Sequence, residues 1–213
     1  LPRISNFTDF SPFERYGNVS LRYVDSVGDL HQPDMIILPG TKSTIADLRW
    51  LRQCGLEAAI HKAADAGTLV FGVCGGYQML GRTVSDPEQV EAAGTTEILG
   101  MGLLEMDTIF LGEKVQAQTT GVFAGISGVL SDLNGMSYSG YEIHMGRSEE
   151  EMPALTGADN VYGSYVHGVF DASGISDTIL KALCVRKGID FDALETFDIS
   201  EYKEHQYDLL ADA

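Results

Sequence analysis

Two patterns of hydrophobic residues occur in the first part of the chain: short continuous apolar runs and apolar residues at helical spacing. Together they predict an α/β fold. Met35–Leu38 and Thr68–Val73 are short, almost wholly apolar runs of the kind that form buried parallel strands. Between them, apolar residues with helical spacing predict two helices, one from Ile45 and one over residues 56–66. Strands that alternate with helices in this way predict a mostly parallel sheet with helices on both faces.

The remaining segments predict less regular and antiparallel structure. Residues 1–18 should form an irregular segment whose aromatic residues pack on the core, and the alternation in Val19–Val24 predicts a half-buried strand. Alternating segments bounded by glycine between residues 86 and 134 predict antiparallel additions to the sheet. The same periodicities predict four later elements: strands at 139–145 and 161–170, a helix after Asp171 and a final helix at 201–212.

Composition narrows the class of protein. The chain has 213 residues, 44% of them hydrophobic, which suits a single domain over 1–213. Its 14 basic and 31 acidic residues give a net charge of −17, which argues against binding to nucleic acid or an anionic membrane. No apolar run approaches the roughly 18 residues that span a bilayer, and no signal pattern opens the chain, so we expect a cytoplasmic protein.

The cysteines and the first residue add two expectations. Three cysteines without metal-type spacing predict neither a disulfide framework nor a metal site. The chain begins at Leu1 and not at a methionine, so we expect it to be a fragment of a longer polypeptide.

The strongest chemical signal is Cys74, which follows the second apolar run. The sequence Gly72–Gly76 predicts a sharp turn from strand to helix, a nucleophile elbow with sulfur in place of oxygen. Glycines on both sides of Cys74 remove Cβ atoms that would clash in such a turn. Because the positive end of the following helix would face the thiol, we expect its pKa to lie below the usual value of about 8.5.

A cysteine nucleophile needs a base, and the chain offers five histidines. His31, His61 and His205 lie in polar surroundings and are predicted to be solvated. His144 and His167 each end a strand-like run and have glycine close behind them. We predict His167 as the base, since the alternation of residues 164–166 would place it at the open end of a strand.

Acyl-transfer chemistry also needs two backbone N–H groups that stabilise an oxyanion. The elbow supplies the amide of Gly75, and the loop at Gly40, which ends the neighbouring predicted strand, supplies the second.

Four segments, in order, resemble one family. Gly72–Gln78 (Gly-Val-Cys-Gly-Gly-Tyr-Gln) resembles the nucleophile motif of class I, triad-type glutamine amidotransferases. Leu38–Leu48, Gly140–Arg147 and Tyr165–Asp171 are similar to segments of the cobalamin-pathway branch of that class, and the similarity extends to about Leu183. The resemblance implies a flavodoxin-like α/β fold.

The resemblance also implies a reaction. Cys74 would attack the side-chain amide of glutamine, with His167 as acid and base, and ammonia would pass to an N-terminal synthetase part of the same polypeptide. That part, absent from this chain, would use ATP and Mg²⁺ to activate corrin side-chain carboxylates. No cofactor is expected in this domain: the sequence Gly40–Ser43 is not a phosphate-binding loop, since Thr41 separates Gly40 from Lys42.

The third catalytic residue is left open by the sequence. Many triad amidotransferases have Glu two residues after the histidine, where this chain has Val169. Glu142 and Asp171 are candidates. Alternatively the acid comes from the absent synthetase part, or a Cys–His dyad suffices.

The resemblance further implies that Gln78, Tyr141 and His144 contact glutamine. Within the branch, the segment Gly140–Arg147 favours one of two corrin-amidating synthases. The other synthase is the first alternative, and other ATP-coupled amidating enzymes are the second. Two different classes remain as alternatives: a stand-alone cysteine hydrolase, and a non-catalytic domain with an inactive site.

Overall fold

The computed structural model describes residues 1–91, 94, 96–148 and 153–194. The helices are α1 (Ser11–Glu14), α2 (Val27–Leu30), α3 (Thr44–Gln53), α4 (Leu56–Asp65), α5 (Gly75–Leu80) and α6 (Ile175–Lys187). The strands are β1 (Met35–Leu38), β2 (Leu69–Val73), β3 (Thr83–Ser85), β4 (Glu97–Leu99), β5 (Asp107–Val122), β6 (Ser137–Ser148), β7 (Thr156–Ala158) and β8 (Val161–Ser164). Short 3₁₀ segments occupy Phe7–Phe10, Gly128–Leu133 and Phe191–Ala193.

A four-stranded sheet in the order β1-β2-β8-β7 forms the centre of the fold. β1, β2 and β8 run parallel, and β7 pairs antiparallel with β8 at the edge. The predicted parallel strands and the helices α3, α4 and α6 are thus confirmed. Because the parallel strands end at the same edge, the Gly40 loop, Cys74 and the segment before His167 all leave the sheet on one side.

Hydrophobic side chains pack on both faces of this sheet. Successive residues of β2 alternate between two clusters, and every residue of the strand is buried. One cluster joins Leu69 and Phe71 to α6 and to Phe10 and Phe13 from the start of the chain. The other joins Val70 to α3, α4 and α5. The helices on both faces therefore hold β2, and with it the elbow, rigidly in place.

The glycine-rich middle of the chain forms a second sheet, in the order β4-β3-β5-β6. We predicted these antiparallel strands as additions to the central sheet, and that placement is wrong, because β5 and β6 pair with each other along their length. Strand β6 of their hairpin contacts the segment that follows β8 through an isolated bridge between Tyr141 and His167. The antiparallel addition to the central sheet is β7.

Four other expectations need correction, in whole or in part, or lie beyond the described residues. Val19–Val24 is not a strand, although Val19 and Leu21 pack against the core and so produce the alternation without a strand partner. The strand predicted over 161–170 ends at Ser164. The helix predicted over 201–212 lies outside the described residues. Within residues 1–18, Phe10 and Phe13 are buried as predicted, whereas Phe7 is exposed.

Candidate active site

Cys74 lies at a strained corner between β2 and α5. Its φ of 51° and ψ of −110° fall in a region that residues with a side chain rarely adopt, at a cost of about 1–3 kcal/mol, and such strain is concentrated at functional sites. Its N–H donates to the Ser164 carbonyl at 2.8 Å, which ties the corner to β8. A Cβ on Gly76 would overlap the carbonyl oxygen of Leu38, so the elbow requires glycine there.

The Cys74 thiol is held neutral in this structure. Burial raises its pKa to about 12, and the negative charges of Asp9, Glu142 and Glu91 add to the rise. The N–H of Gly75 lowers the pKa but does not offset the loss of solvation. Our prediction of a lowered pKa is therefore wrong for this state, because desolvation outweighs the helix terminus. The Sγ atom lies 3.5 Å from the carbonyl oxygen of Ile143, which accepts the thiol proton.

This burial predicts slow alkylation of Cys74. Iodoacetamide reacts with the thiolate, so its reaction with Cys74 in the native protein should be slow near pH 7 and should accelerate as the pH rises past the range of ordinary thiols. The rate can be measured by mass spectrometry of the Cys74 peptide, with the same protein in urea as the reference. A fast native reaction that levels off below pH 8 would show that the thiolate is already formed.

The imidazole of His167 is paired with a carboxylate that the sequence did not point to. Nδ1 of His167 lies 2.7 Å from Oδ2 of Asp9, and the two side chains are only 1% and 3% exposed. The other oxygen, Oδ1, accepts the N–H of Gly168 at 3.1 Å. The amide nitrogen of Asn6 is 3.1 Å from Nδ1 and 3.2 Å from Nε2. Both residues come from the irregular segment that opens the chain.

Strand β6 covers the other side of His167. The N–H of His167 donates to the Tyr141 carbonyl at 2.8 Å, and the N–H of Tyr141 donates back at 3.1 Å. The Tyr141 ring stacks on the imidazole with centroids 5.3 Å apart. Burial, and the negative charges of Asp9 and Asp171, raise the pKa of the Tyr141 phenol. A side chain on Gly140 would overlap the His167 carbonyl, so glycine allows this close approach.

The Gly40 loop lies between the elbow and His167. A Cβ on Gly40 would sit 2.9 Å from Cε1 of His167, and a Cβ on Gly75 would sit 3.3 Å from the amide nitrogen of Thr41. The described hydrogen bonds of the loop use the carbonyl of Gly40, the amide of Lys42 and the hydroxyl of Thr41. Among the described residues, no acceptor is found for the amides of Gly40 and Thr41. The structure therefore brings both predicted oxyanion donors, Gly40 and Gly75, to one place.

Gln78 is buried one helical turn after Cys74 and is only 2% exposed. Its Oε1 accepts the hydroxyl of Thr44 at 3.0 Å, whereas its Nε2 has no hydrogen-bond partner among the described residues. A Cβ on Gly146 would lie 2.6 Å from that nitrogen. Leaving a buried donor unpaired costs about 1–3 kcal/mol, so this amide is a candidate for binding a ligand.

His144, Glu142 and Asp171 lie near the site without contacting the His167 ring through a described hydrogen bond. Nδ1 of His144 is 2.5 Å from the Gly146 carbonyl, its ring stacks on Tyr165, and its Nε2 is 3.4 Å from Glu142. Burial, and the charge of Asp9, raise the pKa of Asp171. Neither predicted acid has a described hydrogen bond to the imidazole, and the carboxylate that meets it is that of Asp9.

Glu91 is a second acid that the sequence did not single out. It accepts the N–H groups of Thr44 and Ile45 at the start of α3, the latter at 3.2 Å, and burial raises its pKa to about 7. Thr44 in turn donates to Gln78, so Glu91 supports the residues behind Cys74.

The described residues form neither a metal-binding cluster nor a membrane-spanning helix. No group of three or more His, Cys, Asp or Glu side chains in residues 1–91, 94, 96–148 and 153–194 is arranged to hold a metal ion. In the same residues, every helix is too short or too polar to cross a membrane.

The chain belongs to a family of glutamine amidotransferase domains. The family model that describes the CobB/CobQ-like glutamine amidotransferase domain matches residues 1–175. A cobyric acid synthase of Lachnoclostridium phytofermentans is 50% identical, over 100% of this chain and 46% of its own length. The cobyric acid synthase of Ruminiclostridium cellulolyticum is 45% identical, over 100% of this chain and 45% of its own. The chain thus spans about half the length of these curated relatives, and the predicted family is confirmed.

Solved structures share the fold. One, described as a glutamine amidotransferase, has a TM-score of 0.60 at 16% identity and covers 84% of this chain and 95% of its own. The structure of PurLQS from Thermotoga maritima has a TM-score of 0.57 at 19% identity and covers 85% of this chain and 95% of that chain. The predicted class I glutamine amidotransferase fold is thereby confirmed.

Proposed function

We propose that this chain hydrolyses glutamine at Cys74 and supplies the ammonia to an ATP-dependent synthetase part of the same polypeptide, which amidates corrin carboxylates in cobalamin biosynthesis. The observation that carries the proposal is a cysteine on a strained elbow and, at the same edge of the central sheet, an imidazole paired with a carboxylate, in a chain of an amidotransferase family. This set of groups suits hydrolysis of an amide through a thioester.

The proposed reaction has two halves. The Cys74 thiol transfers its proton to His167, and the sulfur attacks the side-chain amide carbon of glutamine. The carbon–nitrogen bond then breaks, and ammonia leaves with the proton that His167 returns. Water, deprotonated by the same imidazole, hydrolyses the thioester and releases glutamate. The amides of Gly75 and of the Gly40 loop stabilise the oxyanion in both halves.

Glutamine binding would use the polar groups that the protein leaves unpaired. The Nε2 of Gln78 needs an acceptor, and a substrate oxygen would supply one. Tyr141 and His144 would contact the amino-acid end of glutamine, as the family resemblance implies. Because the thiol is neutral in this structure, we expect bound glutamine and the synthetase part to help bring Cys74 and His167 into the reactive arrangement.

The acceptor is proposed from the relatives. Both named relatives are cobyric acid synthases, so the favoured conversion is adenosylcobyrinic acid a,c-diamide to cobyric acid, with cobyrinic acid a,c-diamide synthase as the alternative. ATP and Mg²⁺ are assigned to the synthetase part. In support of this, the amide of Lys42 is already bonded to Arg3, and Thr41 interrupts the Gly-Lys pair that a phosphate-binding loop would need.

The test uses the protein in its natural polypeptide. Glutamine labelled with ¹⁵N in its side chain should yield labelled ammonia, and a diazoketone analogue of glutamine should modify Cys74 while Cys54 and Cys184 stay unmodified. Ammonia release without any adduct on Cys74 would contradict the proposal. Equal hydrolysis of simple amides that lack the amino-acid end of glutamine would instead indicate a general cysteine hydrolase, and no reaction at all would indicate an inactive site.

A further inference from the structure

The contact between Asp9 and His167 fixes which nitrogen of the imidazole carries the proton. A carboxylate can only accept, so Nδ1 of the neutral ring must donate to Oδ2 across the 2.7 Å between them. Nε2 is then left without a proton and can accept one. This is the form that a general base for the Cys74 thiol requires.

The backbone explains how an acid from the start of the chain stays in place. We call Leu1–Phe10 the strap. Its Arg3 lies 3.0 Å from Asp47 of α3, its Ser5 donates to the Gly40 carbonyl at 2.9 Å, and its Phe10 is buried in the core. The strap therefore holds the Gly40 loop and the imidazole at the same time.

We infer that Asp9 is the positioning residue for His167. It takes the place of the glutamate that many triad amidotransferases have where this chain has Val169. The inference rests on the proposed glutaminase function. Asp9 does not touch the reacting atoms: it acts by holding the ring in one orientation and one tautomer, and by stabilising the positive charge that forms when Nε2 takes the thiol proton. The strap gives this acid its place, 158 residues before the base.

The geometry favours Asp9 over both acids that the sequence suggested. The described contact of Glu142 is with His144, at 3.4 Å. Asp171 lies beside Gly168, whose added Cβ would be 3.2 Å from its Oδ2, and its own N–H donates to the Gly168 carbonyl. Asp9 alone among these three has a described hydrogen bond to the ring.

The variant Asp9→Asn tests this with the least disturbance. Its amide oxygen can still accept the Gly168 N–H, whereas its NH₂ group would face Nδ1 as a donor and force the proton onto Nε2. We expect kcat for glutamine hydrolysis to fall by about 10²–10⁴-fold with KM little changed, because the glutamine contacts stay intact.

A spectroscopic measurement separates positioning from a general loss of structure. The Nδ1 proton held by Asp9 should give a strongly deshielded resonance in the proton NMR spectrum of the wild type, and Asp9→Asn should lose it. Spectra are recorded below the unfolding temperature of each variant. The matched control is Asp34→Asn, which removes an exposed acid paired with Lys187 and should keep both the resonance and kcat.

Three outcomes decide the inference. Loss of kcat and of the resonance in Asp9→Asn, with Asp34→Asn unchanged, supports it. An Asp9→Asn variant that keeps wild-type kcat, or Asp171→Asn or Glu142→Gln variants that alone reproduce the loss, would overturn it. A wild type that releases no ammonia, while its deshielded resonance is present, would contradict the glutaminase function and not the role of Asp9 in holding the ring.

Discussion

Replacement of Cys74 by alanine should abolish the release of ammonia from glutamine, with kcat falling on the order of 10⁴-fold or more, because the proposed thioester forms on the Cys74 sulfur. The fold should survive. Alanine keeps the Cβ atom that the turn already accommodates at a φ of 51°, and the N–H bond to Ser164 involves only backbone.

Two measurements on the full polypeptide check this result. On the proposed function, glutamine-dependent amidation of the corrin acceptor should be lost in Cys74→Ala, whereas amidation with an ammonium salt as nitrogen source should persist, since the substitution leaves the proposed synthetase part unchanged. Cys184→Ala makes the same chemical change in a buried cysteine of α6, away from the elbow, and should retain both activities. A glutaminase rate of wild-type size in Cys74→Ala would remove Cys74 from the mechanism.

The second large effect is expected from Gly76→Ala, through stability. The new Cβ would overlap the carbonyl oxygen of Leu38 and lie 2.8 Å from the Leu38 side chain. Neither backbone can yield easily, because β1 is paired to β2 and α5 begins at the elbow. We expect the free energy of unfolding to fall by about 3 kcal/mol, together with most of the glutaminase activity, since the same displacement moves Cys74.

The matched control for this substitution is Gly28→Ala. Gly28 lies in α2, where an added Cβ would meet only the Ser26 hydroxyl at 3.8 Å, so we expect equal or slightly higher stability than the wild type. Urea unfolding followed by circular dichroism measures both variants. If Gly76→Ala unfolds at the same urea concentration as Gly28→Ala, the claim that the close packing of the elbow on Leu38 requires glycine at position 76 is wrong.

The sequence predicted the elbow well because its causes are local. A short apolar strand, a cysteine and glycines at fixed positions leave few conformations, and the structure places Cys74 at the corner between β2 and α5. The Gly40 loop also follows from a short apolar strand, whereas His167, predicted at the end of a longer strand, lies beyond the end of β8. By contrast, the alternation in Val19–Val24 came from packing on the core and not from strand pairing, which sequence periodicity cannot distinguish.

Asp9 and the ionisation of Cys74 escaped prediction because they depend on tertiary structure. Nothing near Asp9 in the sequence shows that it meets His167; the one available signal was an acid beside Phe10 in a segment expected to pack on the core. The pKa of Cys74 depends on burial in the folded protein and on charges from three separate segments, whereas the sequence revealed only the helix terminus. Both the contact of Asp9 with His167 and the pKa of Cys74 depend on residues that are distant in the sequence.

The span between Asp9 and His167 also bears on the order in which the protein folds. Their contact closes a loop of 158 residues, one of the longest that this chain can form, and the entropy lost on closure must be recovered by the packing of Phe10 and Phe13 on the core. We therefore expect the central sheet to form before the imidazole acquires its acid. In that order of events, the elbow with Cys74 would form while the imidazole of His167 could still rotate. Catalytic activity would therefore be among the last properties that the folding chain gains.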